Sequence, residues 1–224
     1  MGKYTGMAPL VVLILSNPRI FQTKSENFSN LRGSTMLVGN QRIFAIESSI
    51  TRAYQRLSQR ALGYFVIYVA GRIFGVRSPE ATMLACSFDS VGQRLSRRGL
   101  HCVPFGAETN ASAIAEAVRA TTYDDDRPGE TFFGLSADEF REVTTANGIV
   151  WAPDGDEAFD DGAHVLQFDV DDKVRLIAFI NEGSKEITAS TVVEIWLGAD
   201  EYYKILDKWR VSFEVEREAA LASS

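Results

Sequence analysis

Residues 136–180, SADEFREVTTANGIVWAPDGDEAFDDGAHVLQFDVDDKVRLIAFI, change hydrophobic period twice and so decide the fold class. Ser136 and Glu139 have the spacing of a capping box, Leu135 can staple onto Phe140, and Asn147-Gly148 is a left-handed stop signal, which together predict a helix. A short apolar run follows, and Pro153-Asp154-Gly155 then turns the chain. Val165 to Val170 alternates, Asp171-Asp172 turns, and Val174 to Ile180 returns, so the second half predicts an antiparallel hairpin.

Downstream, Thr191 to Leu197 reads as a third strand, with Val193, Ile195 and Leu197 on one face. Asp200 is placed to cap a terminal helix whose buried stripe is Leu206, Trp209 and Phe213. Upstream, Ile43 to Ser48 predicts a strand, and YFVIYVAGRIFGV (64–76) a hairpin covered on both faces. Between them Arg52, Arg56 and Arg60 recur at intervals of four, a charged stripe if the segment is helical and a polar loop otherwise. Phe88, Val91 and Leu95 share a helical face that ends at Gly99, with Arg97 and Arg98 suited to its last turn. Asn110 is placed to cap a further helix from Ala111 to about Thr122. Strand groups flanking a helical middle predict an α+β fold: one domain, a mainly antiparallel sheet and about four helices including a C-terminal one.

The chain has 224 residues, 46% hydrophobic and 24% charged, enough for one sizeable core. Ala8–Leu15 (APLVVLIL) is too short to span a bilayer. It resembles the apolar part of a signal peptide after Lys3, but no small-residue cleavage pattern follows. Residues 16–35 lack periodicity, whereas MLVGNQRIFAIES from Met36 is well patterned. Residues 1–35 are therefore expected to be a disordered or mis-started extension, and 36–224 the domain; an N-terminal strand at APLVVLIL is the alternative. Cys86 lies in the apolar patch MLACSF and is expected to be a buried free thiol. With Cys102 and His101 as its only companions, it falls short of a four-ligand zinc set. No metal, no cofactor and a reducing, cytoplasmic setting are expected.

Charge is strongly polarised. Residues 111–172 hold 16 acidic side chains against 3 basic, while residues 1–110 hold 13 basic against 5 acidic. The acids concentrate at Asp124, Asp125 and Asp126 and again at Asp154, Asp156, Glu157, Asp160 and Asp161, with Trp151 and Phe159 interleaved. Aromatic anchors ringed by charge suit a protein interface, so these ten residues are the candidate contact surface for a basic partner. If the fold brings the two runs together, they extend one negative surface. A calcium reading fails at three required positions of an EF-hand: Ala158, Phe159 and Val165 stand where a ligand, the turn glycine and the bidentate glutamate belong. Catalytic motifs are absent: no G-x-S-x-G, no P-loop, no dinucleotide fingerprint and no H-E-x-x-H. A carboxylate-based hydrolase using Asp154, Asp156 or Asp160 is the enzymatic alternative, and a regulatory adaptor the third. A net charge of −7 argues against direct nucleic-acid binding.

From Met36 onward the sequence resembles the immunity protein 42 family of bacterial polymorphic toxin systems. The carrying residues are Met36–Asn40 (MLVGN), Phe44–Ile46, Tyr64–Tyr68, Cys86–Phe88, Arg98-Gly99 with His101, Phe133–Ser136, and Gly148 to Gly162. WAPDGDEAFDDG is the most specific of these. The resemblance implies a small cytoplasmic antidote, not an enzyme, that binds the C-terminal toxic domain of a secreted effector, with a nuclease as one candidate partner and no membrane involved.

Overall fold

The structure, a computed structural model, describes residues 35–107, 109–124, 129–152, 156–183 and 191–223. The extension expected over 1–35 thus lies outside the described residues except for Thr35, which opens the first strand. β1 (Thr35–Gly39), β2 (Phe44–Ala53), β3 (Ala61–Val69) and β4 (Arg72–Phe74) pair in that order, and β5 (Thr82–Met83) joins β3. Then come α1 (Leu84–Ser96), α2 (Ala111–Tyr123), the small ladder of β6 (Thr131–Phe132) with β7 (Leu135–Ser136), and α3 (Ala137–Ala146). β8 (Val150–Ala152), β9 (Ala163–Val170), β10 (Lys173–Ile180) and β11 (Val193–Gly198) form a second sheet in the order β11-β10-β9-β8, and α4 (Ala199–Ala222) closes the fold. Every strand pairing among these is antiparallel.

The α+β class holds, with four α-helices among the described residues. The two strand groups form separate sheets rather than one. Each is a local meander, and which side of one faces the other is set by contacts far apart in sequence. The second sheet is covered on both faces. Val165, Val174, Leu176 and Ala178 meet Phe44, Ile46, Phe65 and Ile67 of the first sheet and Leu206, Trp209 and Phe213 of α4 in one core. Leu166, Phe168, Ile177 and Phe179 on the opposite face pack on Ile114 and Val118 of α2 and Phe140 of α3 in another. This double burial explains why β9 and β10 are apolar almost throughout.

Local signals translate closely. Asn110 accepts from the Ser112 and Ala113 amides at 2.9 and 3.3 Å, and Ser136 with Glu139 forms the full capping box. Replacing Asn110 with alanine leaves two first-turn amides without that acceptor. The expected loss is about 1 kcal/mol, read as a fall of about 2–4 °C in melting temperature. The two alternatives for the arginine segment resolve against the helix, and two expectations change. β2 runs to Ala53, a turn follows, and Arg60 lies over the Phe88 ring (3.9 Å) and pairs with Glu214 at 2.6 Å. Gly198, not Asp200, caps α4, and Asp200 sits in its first turn. Cys86 is exposed on α1 because its neighbours Ala85 and Ser87 take the inward positions.

A buried polar network joins these elements. Gln167 of β9 receives Tyr202 Oη–H at 2.7 Å and donates to Tyr203 Oη at 2.8 Å, and Asp169 receives the Gly99 amide at 2.7 Å and Tyr203 Oη–H at 2.8 Å. Arg94 donates to the Gly148 and Val150 carbonyls and to Gln167 Oε1 at 2.8–3.1 Å, and burial draws its guanidinium down to about 10, still charged at neutral pH. His101, 2% exposed, uses Nδ1–H toward the carbonyls of Asn147 (2.9 Å) and Gly148 (3.1 Å). Burial and then the Arg94 charge hold its pKa below 6.5. A depressed folded-state pKa means the unfolded chain binds the extra proton more readily. This contribution is fully present above pH 6.5 and is lost as pH falls through the folded-state value. Urea denaturation from pH 7.5 to 5 is expected to show falling stability, with a flatter profile in His101→Asn, whose amide can supply the Nδ1–H donor without titrating.

Candidate functional site

Residues 156–162, ahead of β9, fold back onto the first sheet. Residues Glu157–Phe159 make a single 3₁₀ turn capped by Asp156, whose side chain accepts from Ala158 N at 2.9 Å. The Val76 amide donates to the Ala158 carbonyl at 2.8 Å, and the Gly75 amide to the Asp161 carboxylate at 3.1 Å. Asp161 also accepts from Ala163 N at 3.2 Å, and the Asn181 amide reaches the Gly162 carbonyl at 2.8 Å. Gly162 is required here. Its φ is +80°, and a Cβ would stand 2.5 Å from the Asn181 oxygen. The turn is thus fixed from both sides before any partner arrives.

This anchoring divides the acids into two kinds. Asp156 and Asp161 bind backbone amides and hold the turn's shape. Glu157, Asp160 and Asp161 are exposed and Asp156 is half-buried; among the described residues Glu157 meets Thr82 Oγ1 at 3.4 Å and holds no backbone amide of the turn. α1 adds a residue that the sequence pattern did not single out. The Cys86 thiol of α1 is pushed up first by burial and then by the charges of Asp156, Asp89 and Glu157, and Asp89 itself pairs with Arg60 at 3.6 Å. No sequence signal sets Cys86 near residues 70 positions later; the docking of α1 against the first sheet does so.

Of the second acidic run only Asp124 is described, at the C-terminal end of α2. The Tyr123 hydroxyl and His164 Nε2 lie 3.1 Å apart, joining the end of α2 to the start of β9. Asp124 is partly neutralised there: Arg119, 3% exposed at its side chain, bridges Glu116 at 2.7 Å and Asp124 at 2.9 Å. The Glu116 hydrogen bond, then that from Asp124, raises the Arg119 pKa and keeps it charged. Asp125, Asp126 and Asp154 lie outside the described residues. Trp151 and Phe159, expected as exposed anchors, are core residues at 5% and 4% exposure. Phe159 meets Phe65 edge-on at 6.2 Å, and Trp151 packs on Phe44 and Tyr202 beneath the Arg94 guanidinium. Both rings secure the acidic turn from below, so the surface itself is polar.

Among the described residues no three or more His, Cys, Asp or Glu side chains group so as to hold a metal ion, and no helix is long and apolar enough to cross a membrane. Glu47 is the other buried carboxylate, accepting from Tyr64 and Tyr68 hydroxyls at 2.8 Å each and from Arg77 Nε at 2.7 Å. Arg77 follows directly on Gly75 and Val76, which hold the acidic turn, so this cluster braces the same loop.

Comparison with known proteins places this arrangement. The sequence model of the family described as immunity protein 42 matches residues 36–212. The crystal structure of CdiI from Burkholderia dolosa AUO158 superposes with a TM-score of 0.51 at 15% identity, covering 79% of this chain and 99% of that one. At that identity the likeness is one of fold. No curated protein sequence matches the chain.

Proposed function

The chain belongs to the immunity protein 42 family, and from that premise we propose that it neutralises the toxic domain of a secreted bacterial effector by binding it, without chemistry of its own. The acidic end formed by Glu157, Asp160, Asp161 and Asp89, with Asp124 beside it, is the contact surface in this reading. The observation that supports it is the division of labour in the turn: Asp156 and Asp161 fix the backbone, which leaves Glu157 and Asp160 preorganised and outward. A surface that needs no ordering on binding avoids part of the entropy cost of association. Negative charge on a rigid platform steers a basic partner and raises the association rate.

A nuclease domain is the partner this surface fits best, because a cleft that holds phosphates must be basic. Its cytoplasmic setting follows from the same role, since an antidote acts where the toxin acts. Asp125, Asp126 and Asp154 extend the proposed surface by their position in the sequence. A carboxylate hydrolase has less support. Asp156 is committed to an amide and Asp160 stands exposed, whereas a general acid needs a sheltered carboxyl.

The test is co-expression of the full chain with the toxin domain encoded beside it, scoring survival and co-purification. Survival with a stable complex is the expected result. A well-folded chain that neither rescues growth nor co-purifies removes that toxin as its partner.

A further inference from the structure

β11 ends the second sheet, and among the described residues no strand pairs with its outer side. The Ala199 amide donates to the Asp172 carbonyl at 2.8 Å, which sets the phase of the ladder. Val193, Ile195 and Leu197 turn their backbone groups toward β10, and Glu194, Trp196 and Gly198 turn theirs outward. Such an unpaired row is a template for another strand, and proteins ordinarily blunt it with lysine, proline, a bulge or brevity. β11 has none of these: it is six residues, VEIWLG, in unbroken register with β10. β8, at the other edge, has three residues and a register shift.

The side chains of β11 are also set for contact. Its one charge, Glu194, is engaged within its own sheet, accepting from Arg175 Nε and from Trp196 Nε1, each at 2.8 Å. Trp196 is 41% exposed yet held in place, with the Arg175 guanidinium 5.4 Å from its ring. A large aromatic already fixed in orientation loses little freedom on contact. On the opposite face Val193 and Ile195 are only half-buried against the core, and a neighbouring strand would complete their burial.

Outward amides and carbonyls call for extended backbone, and β11 is its own complement about a two-fold axis at Ile195. Antiparallel pairing there sets Ile195 against Ile195 of the other copy and Val193 against its Leu197, so the apolar face continues across the axis. Glu194 meets Trp196 of the other copy, not a second carboxylate, and outward-facing residues pair with outward-facing residues as the ladder requires. An axis at Glu194 would oppose like charges. Each contact occurs twice, as a closed isologous interface demands.

We propose that two copies of this chain pair through β11 about Ile195, joining their four-stranded sheets into one continuous sheet. The pairing uses no residue of the acidic turn, so it stands apart from the toxin-binding reading. One strand pair is a small interface, and association at about 10–100 µM is expected.

Sedimentation equilibrium of the full chain up to about 500 µM tests this. Trp196→Pro deletes an outward N–H and no bond to β10. It is expected to abolish the dimer, with circular dichroism showing the fold retained. Trp196→Glu keeps the amide but opposes carboxylates across the interface, and is expected to weaken association about tenfold. Oxidation reads the register, in a background of Cys86→Ser and Cys102→Ser. Ile195→Cys is expected to give a covalent dimer, because opposed residues of a non-hydrogen-bonded pair have Cα atoms about 4.5 Å apart, within disulfide reach. Val193→Cys, opposite Leu197, is expected to stay uncrosslinked. A monomer at every concentration overturns the proposal. So does a dimer indifferent to both Trp196 variants, or crosslinking at 193 as fast as at 195. If the toxin lays a strand of its own on this edge, the chain alone is monomeric and Trp196→Pro weakens the complex, which also overturns it.

Discussion

Replacing Trp209 with alanine is expected to destabilise the domain by about 4 kcal/mol, within the range for truncating a fully buried aromatic. The indole has no measurable exposure and stands where both sheets meet α4. Its ring lies edge-on to Phe65 at 5.0 Å and stacked on Phe213 at 5.4 Å, with Phe88 at 6.4 Å. Its Nε1–H donates to Ser48 Oγ at 3.0 Å. Alanine removes transfer free energy and three ring contacts and leaves a cavity that flanking strands are too constrained to close. Phenylalanine at the same position keeps most of the ring contact but leaves the hydroxyl of Ser48, 1% exposed, without this partner. About 2 kcal/mol is expected for that change. Equilibrium urea denaturation measures both. A loss below about 1 kcal/mol for the alanine variant would mean that α4 does not hold the two sheets together as described.

The second large effect falls on binding. Reversing Asp89, Glu157 and Asp160 to lysine is expected to weaken association with the toxin domain about 100-fold at low salt. Most of that loss should lie in the on-rate; Asp89→Lys also breaks the 3.6 Å pair with Arg60, whose Asp89 partner is 63% exposed, so a stability loss below about 1 kcal/mol accompanies it. The choice of residues follows from the geometry. Asp156 and Asp161 are left intact because their carboxylates hold the turn through Ala158, Gly75 and Ala163, and reversing them would confound folding with recognition. The wild-type rate should fall steeply as salt rises, because exposed charges separated by more than a Debye length are screened. The triple variant should show a much shallower dependence. A triple variant that binds as tightly and as fast as the wild type moves the contact surface elsewhere.

Much of this fold is legible in the sequence, because its local signals are strong. The Asn110 cap, the Ser136–Glu139 box, the Asp171-Asp172 turn between β9 and β10 and the stripe of α4 are each fixed within a few residues. What escapes is what depends on distant partners. Two meanders do not announce that they make two sheets, and the double-sided burial of β9 follows only from where α2 and α3 return. The acidic turn shows the same limit within one site. Its charge is obvious, but an aromatic between acids reads as an exposed anchor, and only the Phe65 contact and the 3₁₀ geometry turn Phe159 inward. The approach of α1 to the turn is hidden for the converse reason: α1 lies in a basic half of the chain and meets the turn through tertiary docking alone. Cys86 looked buried because its neighbours are apolar, although helical phase carries it outward.

Amide hydrogen exchange on the full chain, free and bound to its toxin domain, tests the central claim most directly. Slowed exchange on binding is expected over residues 157–162, with the adjoining 75–82 loop and the first turns of α1, because these carry or brace Glu157, Asp160 and Asp89. Unchanged exchange across that end, with protection confined to another face of the domain, would contradict it.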